Sequence, residues 1–259
     1  MSERAVATPR AASAPSRDRL AAVRCVAVVP AYNEAEAIAS VIAEIRDADL
    51  GFDIVVIDDG STDRTAQIAA EAGAHVVRLP YNIGIGGAVQ TGYQYARDNG
   101  FQIAVQIDGD GQHDPKEVPK LLGPIVDDTA DMVVGTRFGD SEGYRGPRTR
   151  RLGIRIFAFI VSLIVRQRVT DTTSGFRAVN RRGIILFAAD YPHDYPEVEA
   201  TVLVFKHRLR MVEVPVSMRE RAGGRSSITV VRSFYYMVKV SLALFVSLFR
   251  RFSTPLEDQ

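Results

Sequence analysis

The sequence predicts an α/β domain with a mostly parallel central sheet and helices on both faces. Three observations carry the prediction. Short β-branched runs alternate with longer segments of helical pattern between residues 25 and 137, and such alternation implies right-handed crossovers and a sheet covered on both sides. Every apolar run is followed by a polar loop, and sheets of this kind bind ligands beyond the carboxyl ends of their strands. The 259 residues are 46% hydrophobic and 24% charged, which suits a globular domain with a substantial core.

Taken in order, CVAVV (25–29) reads as the first strand and Glu34–Asp47 as the first helix. DIVVID (53–58) is the second strand, followed by a helix over Asp63–Ala72. HVVRL (75–79) is the third, followed by a helix over Gly86–Asn99. IAVQID (103–108) and DMVVGTR (131–137) are the fourth and fifth. The loops that follow them are PAYNE (30–34), DDGSTD (58–63), PYNIGIGGA (80–88), QIDGDGQHDP (106–115) and GTRF (135–138). Asp, Gly, Asn and Ser are turn formers and account for any one of these loops. Five on one edge read as a binding crevice.

Net charge is +1, so no nucleic-acid partner is expected. The lone Cys25 cannot form an internal disulfide, which points to a reduced compartment and a core residue. Residues 1–22 are rich in Ala, Ser, Arg and Pro and read as a disordered tail. They lack the apolar centre of a secretory signal.

The chemistry concentrates in the fourth loop. Asp108 and Asp110 are two apart at a strand end, so both carboxylates can meet one cation. Oxygen ligands suit Mg²⁺ or Mn²⁺. An EF-hand would need Gly at its sixth position and Glu at its twelfth; here those are His113 and Pro119. His113 and Asp114 read as a turn before Pro115, with a weaker claim on an acceptor. In the second loop, Ser61 or Thr62 can cap the next helix, while Asp58 and Asp59 can accept from a nucleobase or ribose. In the third, Gly84, Gly86 and Gly87 fit helix–sheet packing as well as a ligand contact.

PAYNE, VVIDDGSTD, NIGIGGAVQTG, QIDGDGQHDP, VVGTRF and DTTSGFRAVNR occur in the order found in inverting family-2 glycosyltransferases. The chain resembles that family over residues 24–228, within it the polyprenyl-phosphate sugar transferases of the dolichol-phosphate mannosyltransferase type. The resemblance implies the GT-A fold. It places nucleotide contacts at Pro30, Tyr32, Glu34, Ile57 and Asp59, and a D-x-D metal motif at Asp108 and Asp110 with Gly109 near the nucleotide sugar. The third metal ligand falls on Gln112, and a phosphate-contacting arginine on Arg137. In RAGGRSS (221–227), Arg221, Gly224 and Ser226 match a diphosphate-binding motif, while Ser227 stands where mannosyltransferases carry lysine and Arg225 offers a substitute charge. YPHDYPEVEA (191–200) looks more like bacterial relatives that use UDP-glucose or UDP-N-acetylglucosamine with undecaprenyl phosphate.

The resemblance therefore implies a metal-dependent transfer from a UDP- or GDP-sugar to a polyprenyl phosphate. Asp108, Asp110 and Arg137 are the catalytic group, with Arg221 and Ser227 added to the nucleotide-sugar contacts. An anionic lipid phosphate needs no general base; an alcohol acceptor would need one. Glu197, Glu199 and Asp171 are candidates, and the base stays unassigned. Acids at 197 and 199 equally suit a helix first turn.

Two segments bear on a membrane. Ile156–Val165 is bracketed by Arg155 and Arg166, and Val240–Phe249 by Lys239 and Arg250. As helices each is ~15 Å long against a ~30 Å hydrocarbon core, too short to span. Over 148–168, Arg148, Arg151, Arg155 and Arg166 share one face, with Phe157, Ile160, Val161 and Ile164 opposite, as in an interfacial helix. The expected organisation is the tail (1–22), the transferase domain (23–228) and an amphipathic membrane-associated helix and tail (229–259). Peripheral attachment at the cytoplasmic face is expected, with a small membrane protein as a possible partner, since many relatives carry C-terminal transmembrane helices. The other readings are a transferase for soluble or glycan hydroxyl acceptors and a non-catalytic nucleotide-sugar-binding scaffold.

Overall fold

The computed structural model describes residues 15, 19–20, 22–138, 158–159, 161–163, 165, 169–193 and 195–219. The expected C-terminal helix, Arg221, Gly224, Arg225, Ser226 and Ser227, nearly all of the tail and the arginine face of 148–168 lie outside these residues.

Seven strands form one sheet: β1 (Cys25–Ala31), β2 (Asp53–Asp58), β3 (His75–Arg78), β4 (Ile103–Gln106), β5 (Met132–Thr136), β6 (Arg177–Asn180) and β7 (Met211–Pro215). Their order is β3-β2-β1-β4-β6-β5-β7. β6 runs antiparallel to both neighbours, and the other six strands run one way. The expected mostly parallel α/β sheet is thus present, with one reversed strand inserted between β4 and β5.

The helices are α1 (Ile38–Asp47), α2 (Thr65–Glu71), α3 (Ile85–Asp98), α4 (Val118–Val126), α5 (Arg181–Ala189) and α6 (Pro196–Lys206). They cover both faces. On one side Val26, Val28, Val55 and Ile57 pack with Val89 and Tyr93 of α3 and with α5 and α6. On the other, Ala27, Val29, Val56 and Val105 pack with Ile38 and Ile42 of α1 and Leu121 and Leu122 of α4. This is the two-residue period of buried strands. α1 buries Ile38, Val41, Ile42 and Ile45, one stripe at helical spacing. Full burial of each valine or isoleucine contributes about 1.5–3 kcal/mol. Cys25 is buried in β1, and burial pushes its thiol up to about 12, so it is the inert core residue the sequence suggests.

One detail differs from expectation, and one alternative left open by the sequence is narrowed. The first helix starts at Ile38 rather than Glu34; residues 35–37 form a turn in which Ala37 N and Ile38 N both donate to Glu34 O. The glycine-rich segment serves close packing. A Cβ on Gly86 would strike the Pro192 carbonyl, and one on Gly92 the Val28 side chain. Only a bare backbone lets α3 lie this near the sheet.

Ala158, Val161 and Val165 belong to a helical stretch. Val161 is fully buried in the core, and Val165 packs against it. The sequence pattern placed Val161 on the lipid-facing side. The structure turns it inward, because Ala158, Val161 and Val165 form the stripe that meets the core. Phe159 and Leu163, four apart, are 65% and 64% exposed. Phe157, Ile160 and Ile164 lie outside the described residues. No described helix is long and apolar enough to cross a membrane.

Candidate active site

The loops after β1, β2 and β4 meet at the carboxyl edge and are laced by side-chain hydrogen bonds. Thr62 N donates to Asn33 Oδ1 at 2.9 Å, and Asn33 N to Ser61 Oγ at 2.9 Å. Ser61 and Thr62 therefore hold the first loop; neither caps α2, whose N-cap Arg64 makes no side-chain cap bond. Tyr32 is 46% exposed. Glu34 is partly exposed and Pro30 buried. The Ile57 side chain is fully buried in the core, so a nucleotide could meet only its backbone.

Asp59 is nearly buried, and its two oxygens accept from Ile83 N at 2.8 Å and Gly84 N at 3.0 Å. The expected nucleotide contact thus also anchors the glycine-rich loop, with lone pairs left for a further donor. Gly60, with φ +69°, sits where a Cβ would lie 2.5 Å from the Tyr81 carbonyl carbon, so these two loops touch backbone to backbone.

Beyond β4 the chain keeps its contact with β1: Ile107 N donates to Val28 O and Gly109 N to Pro30 O. A Cβ on Gly109 would lie 3.1 Å from that Pro30 oxygen, so the glycine of D-x-D seats the motif against the first strand. The Asp108 side chain is one-third exposed and accepts from Gln106 Nε2 at 3.2 Å. Asp110 accepts from Gln112 N at 3.1 Å and Gln112 Nε2 at 2.8 Å. The Gln112 amide nitrogen is used there, leaving its Oε1 as the atom a cation would take. Two carboxylates and an amide oxygen are hard donors that fit Mg²⁺ or Mn²⁺. Among the described residues no three His, Cys, Asp or Glu side chains converge on one ion. Substrate phosphates and water would complete the coordination, as is usual for Mg²⁺. Asp114 caps the turn at Pro115–Glu117, accepting from Lys116 N, as the sequence indicates.

Arg137 follows β5. Its Nε and Nη2 donate to the two oxygens of Asp171, each at 2.7 Å, and Nη2 also reaches Thr173 Oγ1. This fork-to-carboxylate geometry fixes the guanidinium. Asp171 is buried and committed to that pair, which removes it as a general base. Beneath it Glu213 of β7 accepts from Thr170 N, Thr170 Oγ1 and Asp171 N. Burial raises the Glu213 carboxyl above its ordinary value despite these bonds.

Sequence reasoning missed Arg177, the first residue of β6 and fully buried. It pairs across the sheet with Gln106, and its Nη2 donates to Ser174 O at 2.6 Å. Its Nε and Nη1, Tyr93 Oη and Gln106 Oε1 are buried with no hydrogen-bond partner among the described residues. Buried groups of this kind are ordinarily satisfied by ordered water. Burial raises the Glu197 carboxyl, and the Arg177 charge opposes the rise. Glu197 and Glu199 do occupy the first turn of α6. On the outer side, Arg219 N donates to Gln112 O at 2.9 Å, and its guanidinium pairs with Asp114 and Glu44.

Comparison with known proteins agrees with this geometry. The profile of "Glycosyl transferase family 2" matches residues 26–185. A UDP-N-acetylglucosamine–dolichyl-phosphate N-acetylglucosaminyltransferase of Methanococcus voltae is 30% identical, over 73% of this chain and 83% of its own. An undecaprenyl-phosphate mannosyltransferase of Micrococcus luteus is 29% identical, over 80% and 88%. Glucosyl-3-phosphoglycerate synthase of Mycobacterium tuberculosis, crystallised with Mn²⁺, UDP and glucosyl-3-phosphoglycerate, superimposes with a TM-score of 0.69 at 26% identity, over 89% and 81%. The architecture is the GT-A fold, and the chain belongs to glycosyl transferase family 2.

Proposed function

We propose that this glycosyltransferase moves a sugar from a nucleotide-diphosphate sugar to a polyprenyl phosphate, with inversion and a divalent cation. The observation that carries the reading is the Asp108–Gly109–Asp110 turn, seated on β1 and tied to Gln112. When bound, Mg²⁺ or Mn²⁺ neutralises the diphosphate as it leaves. The chain's own part is positional. Gly109, seated against Pro30, holds the D-x-D turn beside the first-strand loop. Tyr32, Glu34 and Asp59 line the donor side, and Arg137 holds a fixed cation for a phosphate. Arg219 is bonded to the D-x-D loop two residues before Arg221, which favours a diphosphate contact by Arg221, with Ser227 beyond it.

The state of the candidate bases supports a phosphate acceptor. Asp171 is committed to Arg137 and Glu197 stands beside Arg177. An anionic acceptor attacks without giving up a proton. Relatives that act on lipid phosphates support the same acceptor class. The exposed Phe159 and Leu163 favour peripheral attachment at a membrane surface, with the cytoplasmic face and a small membrane-protein partner as parts of the same proposal. A soluble acceptor is the second reading, favoured by the similarity to a synthase crystallised with phosphoglyceric acid.

The test is to incubate membranes carrying the protein with labelled UDP- and GDP-sugars, adding undecaprenyl phosphate or phosphoglycerate, with and without Mg²⁺. Organic-extractable label that requires Mg²⁺ and the lipid is expected. A new labelled aqueous product that forms only with phosphoglycerate, with no organic-extractable label, would establish the second reading instead.

A further inference from the structure

His113 of the Asp108–Asp114 loop is left without a task by the chemistry above. It is 5% exposed and lies flat on Phe176, with ring centroids 4.7 Å apart and planes 14° from parallel. Its Nδ1 accepts the Asp108 backbone N–H at 3.1 Å. An accepting Nδ1 carries no proton, so the ring proton of the neutral imidazole is on Nε2. That Nε2 faces Asp108 Oδ2 at 3.6 Å, an ion–dipole contact longer than a hydrogen bond. The antiparallel ladder between β4 and β6 ends at the Gln106–Arg177 pair. Asp108 thus lies just past the last strand partner, and the imidazole supplies the acceptor that its amide needs.

Three neighbours then bound the Asp108 carboxylate. Gln106 Nε2 donates to Oδ1 at 3.2 Å. His113 faces Oδ2. Gly175 crowds both, since a Cβ there would lie 3.2 Å and 3.4 Å from the two oxygens. His113 is itself held from the other side, by a backbone bridge to Met218.

We infer that His113 is a positioning residue: one imidazole fixes both the backbone and the carboxylate of Asp108 in the orientation that receives the cation and diphosphate. The inference rests on the metal-and-nucleotide reading of Asp108 and Asp110. Residues that orient metal ligands in this way typically change metal affinity by about 10–100-fold when replaced.

Two substitutions separate the halves of the contact. His113→Asn keeps an acceptor at the Nδ1 position and loses the group at Nε2. His113→Gln keeps a donor near Nε2 and loses Nδ1. Full-length wild type and both variants are titrated with Mn²⁺ plus UDP, and with Mn²⁺ plus GDP, by calorimetry, with melting temperature recorded alongside. His113→Asn is expected to keep its melting temperature while losing about tenfold or more in Mn²⁺–nucleotide affinity, with His113→Gln recovering part of the loss. In metal-free wild type, ¹⁵N spectra of the histidine are expected to show the proton on Nε2. If His113→Asn does not fold, Phe176→Leu decides, with weaker Mn²⁺–nucleotide binding expected at an unchanged fold. A folded His113→Asn, or in its absence Phe176→Leu, that binds as tightly as wild type overturns this inference alone. A wild type that binds Mn²⁺ with neither nucleotide overturns both this inference and the reading beneath it.

Discussion

The two edges of the sheet each carry a key aspartate, and they handle it in opposite ways. At the amino edge, Asp131 precedes β5 and is fully buried. It accepts from Arg210 N at 2.8 Å, Arg210 Nε at 3.1 Å and Asn180 Nδ2 at 2.8 Å, with Arg182 at 3.4 Å. This one carboxylate fastens the starts of β5 and β7 to the end of β6, and guanidinium charge balances it. At the carboxyl edge, Asp108 meets an amide and an imidazole, and its side chain stays one-third open to solvent. The first arrangement is complete as it stands. The second leaves negative charge for a cation from outside. Acids balanced within the chain hold the fold together, while acids balanced by neutral groups keep capacity for a ligand.

Substitution at each edge tests this contrast. The largest effect is expected from Asp110→Asn, where kcat/KM should fall by at least about 10²–10³-fold at an unchanged melting temperature. EDTA should silence the wild type likewise. Full turnover in either case would remove the metal assignment. Asp131→Ala should do the reverse, costing about 2–3 kcal/mol of stability in urea unfolding through its unsatisfied partners, with activity per folded molecule retained. If it instead abolished activity in folded protein, the edges would not be separable.

The smallest effect concerns pH. Burial raises the Asp131 carboxyl, but the hydrogen bonds from Arg210 and Asn180 and the Arg210 charge outweigh it and hold the group below its ordinary value. Because the folded value is below the unfolded one of about 3.9, this carboxylate adds stability above about pH 4. That contribution is lost as the pH falls through the folded value. Asp131→Asn should flatten the acid limb of stability against pH, measured by thermal melts between about pH 5 and 3. An identical limb in the variant would show that Asp131 is not the group responsible.

β1, β2, β4 and β5 were legible because their apolar runs are buried on both faces, the edge strand β3 because its two valines interrupt a polar context, and the D-x-D turn because its spacing alone constrains it. β6 was not. It is four residues long and opens with an arginine, which reads locally as a strand boundary rather than a fully buried side chain. β7 carries Glu213 in its middle, and nothing local announces that this acid holds a loop 43 residues earlier. Partnerships such as Asp59 with Ile83 or Arg137 with Asp171 are set by strand order, which the pattern of runs leaves open. Val161 was misassigned for a related reason. An amphipathic stripe has the same spacing whether its apolar side meets lipid or a core.

The reversed strand acts as a ruler for the crevice. Side chains alternate across the start of β6, so Phe176, just before it, supports the His113 ring on one face of the sheet while Arg177 lies near Tyr93 and Gln106 on the other. A slip of one residue would exchange them. It would put a guanidinium where the histidine needs a flat apolar floor, and a phenyl ring among orphaned polar atoms. Phe176 and Arg177 therefore take their places only when β6 has docked in register, so one alignment records both the sheet and the support beneath Asp108.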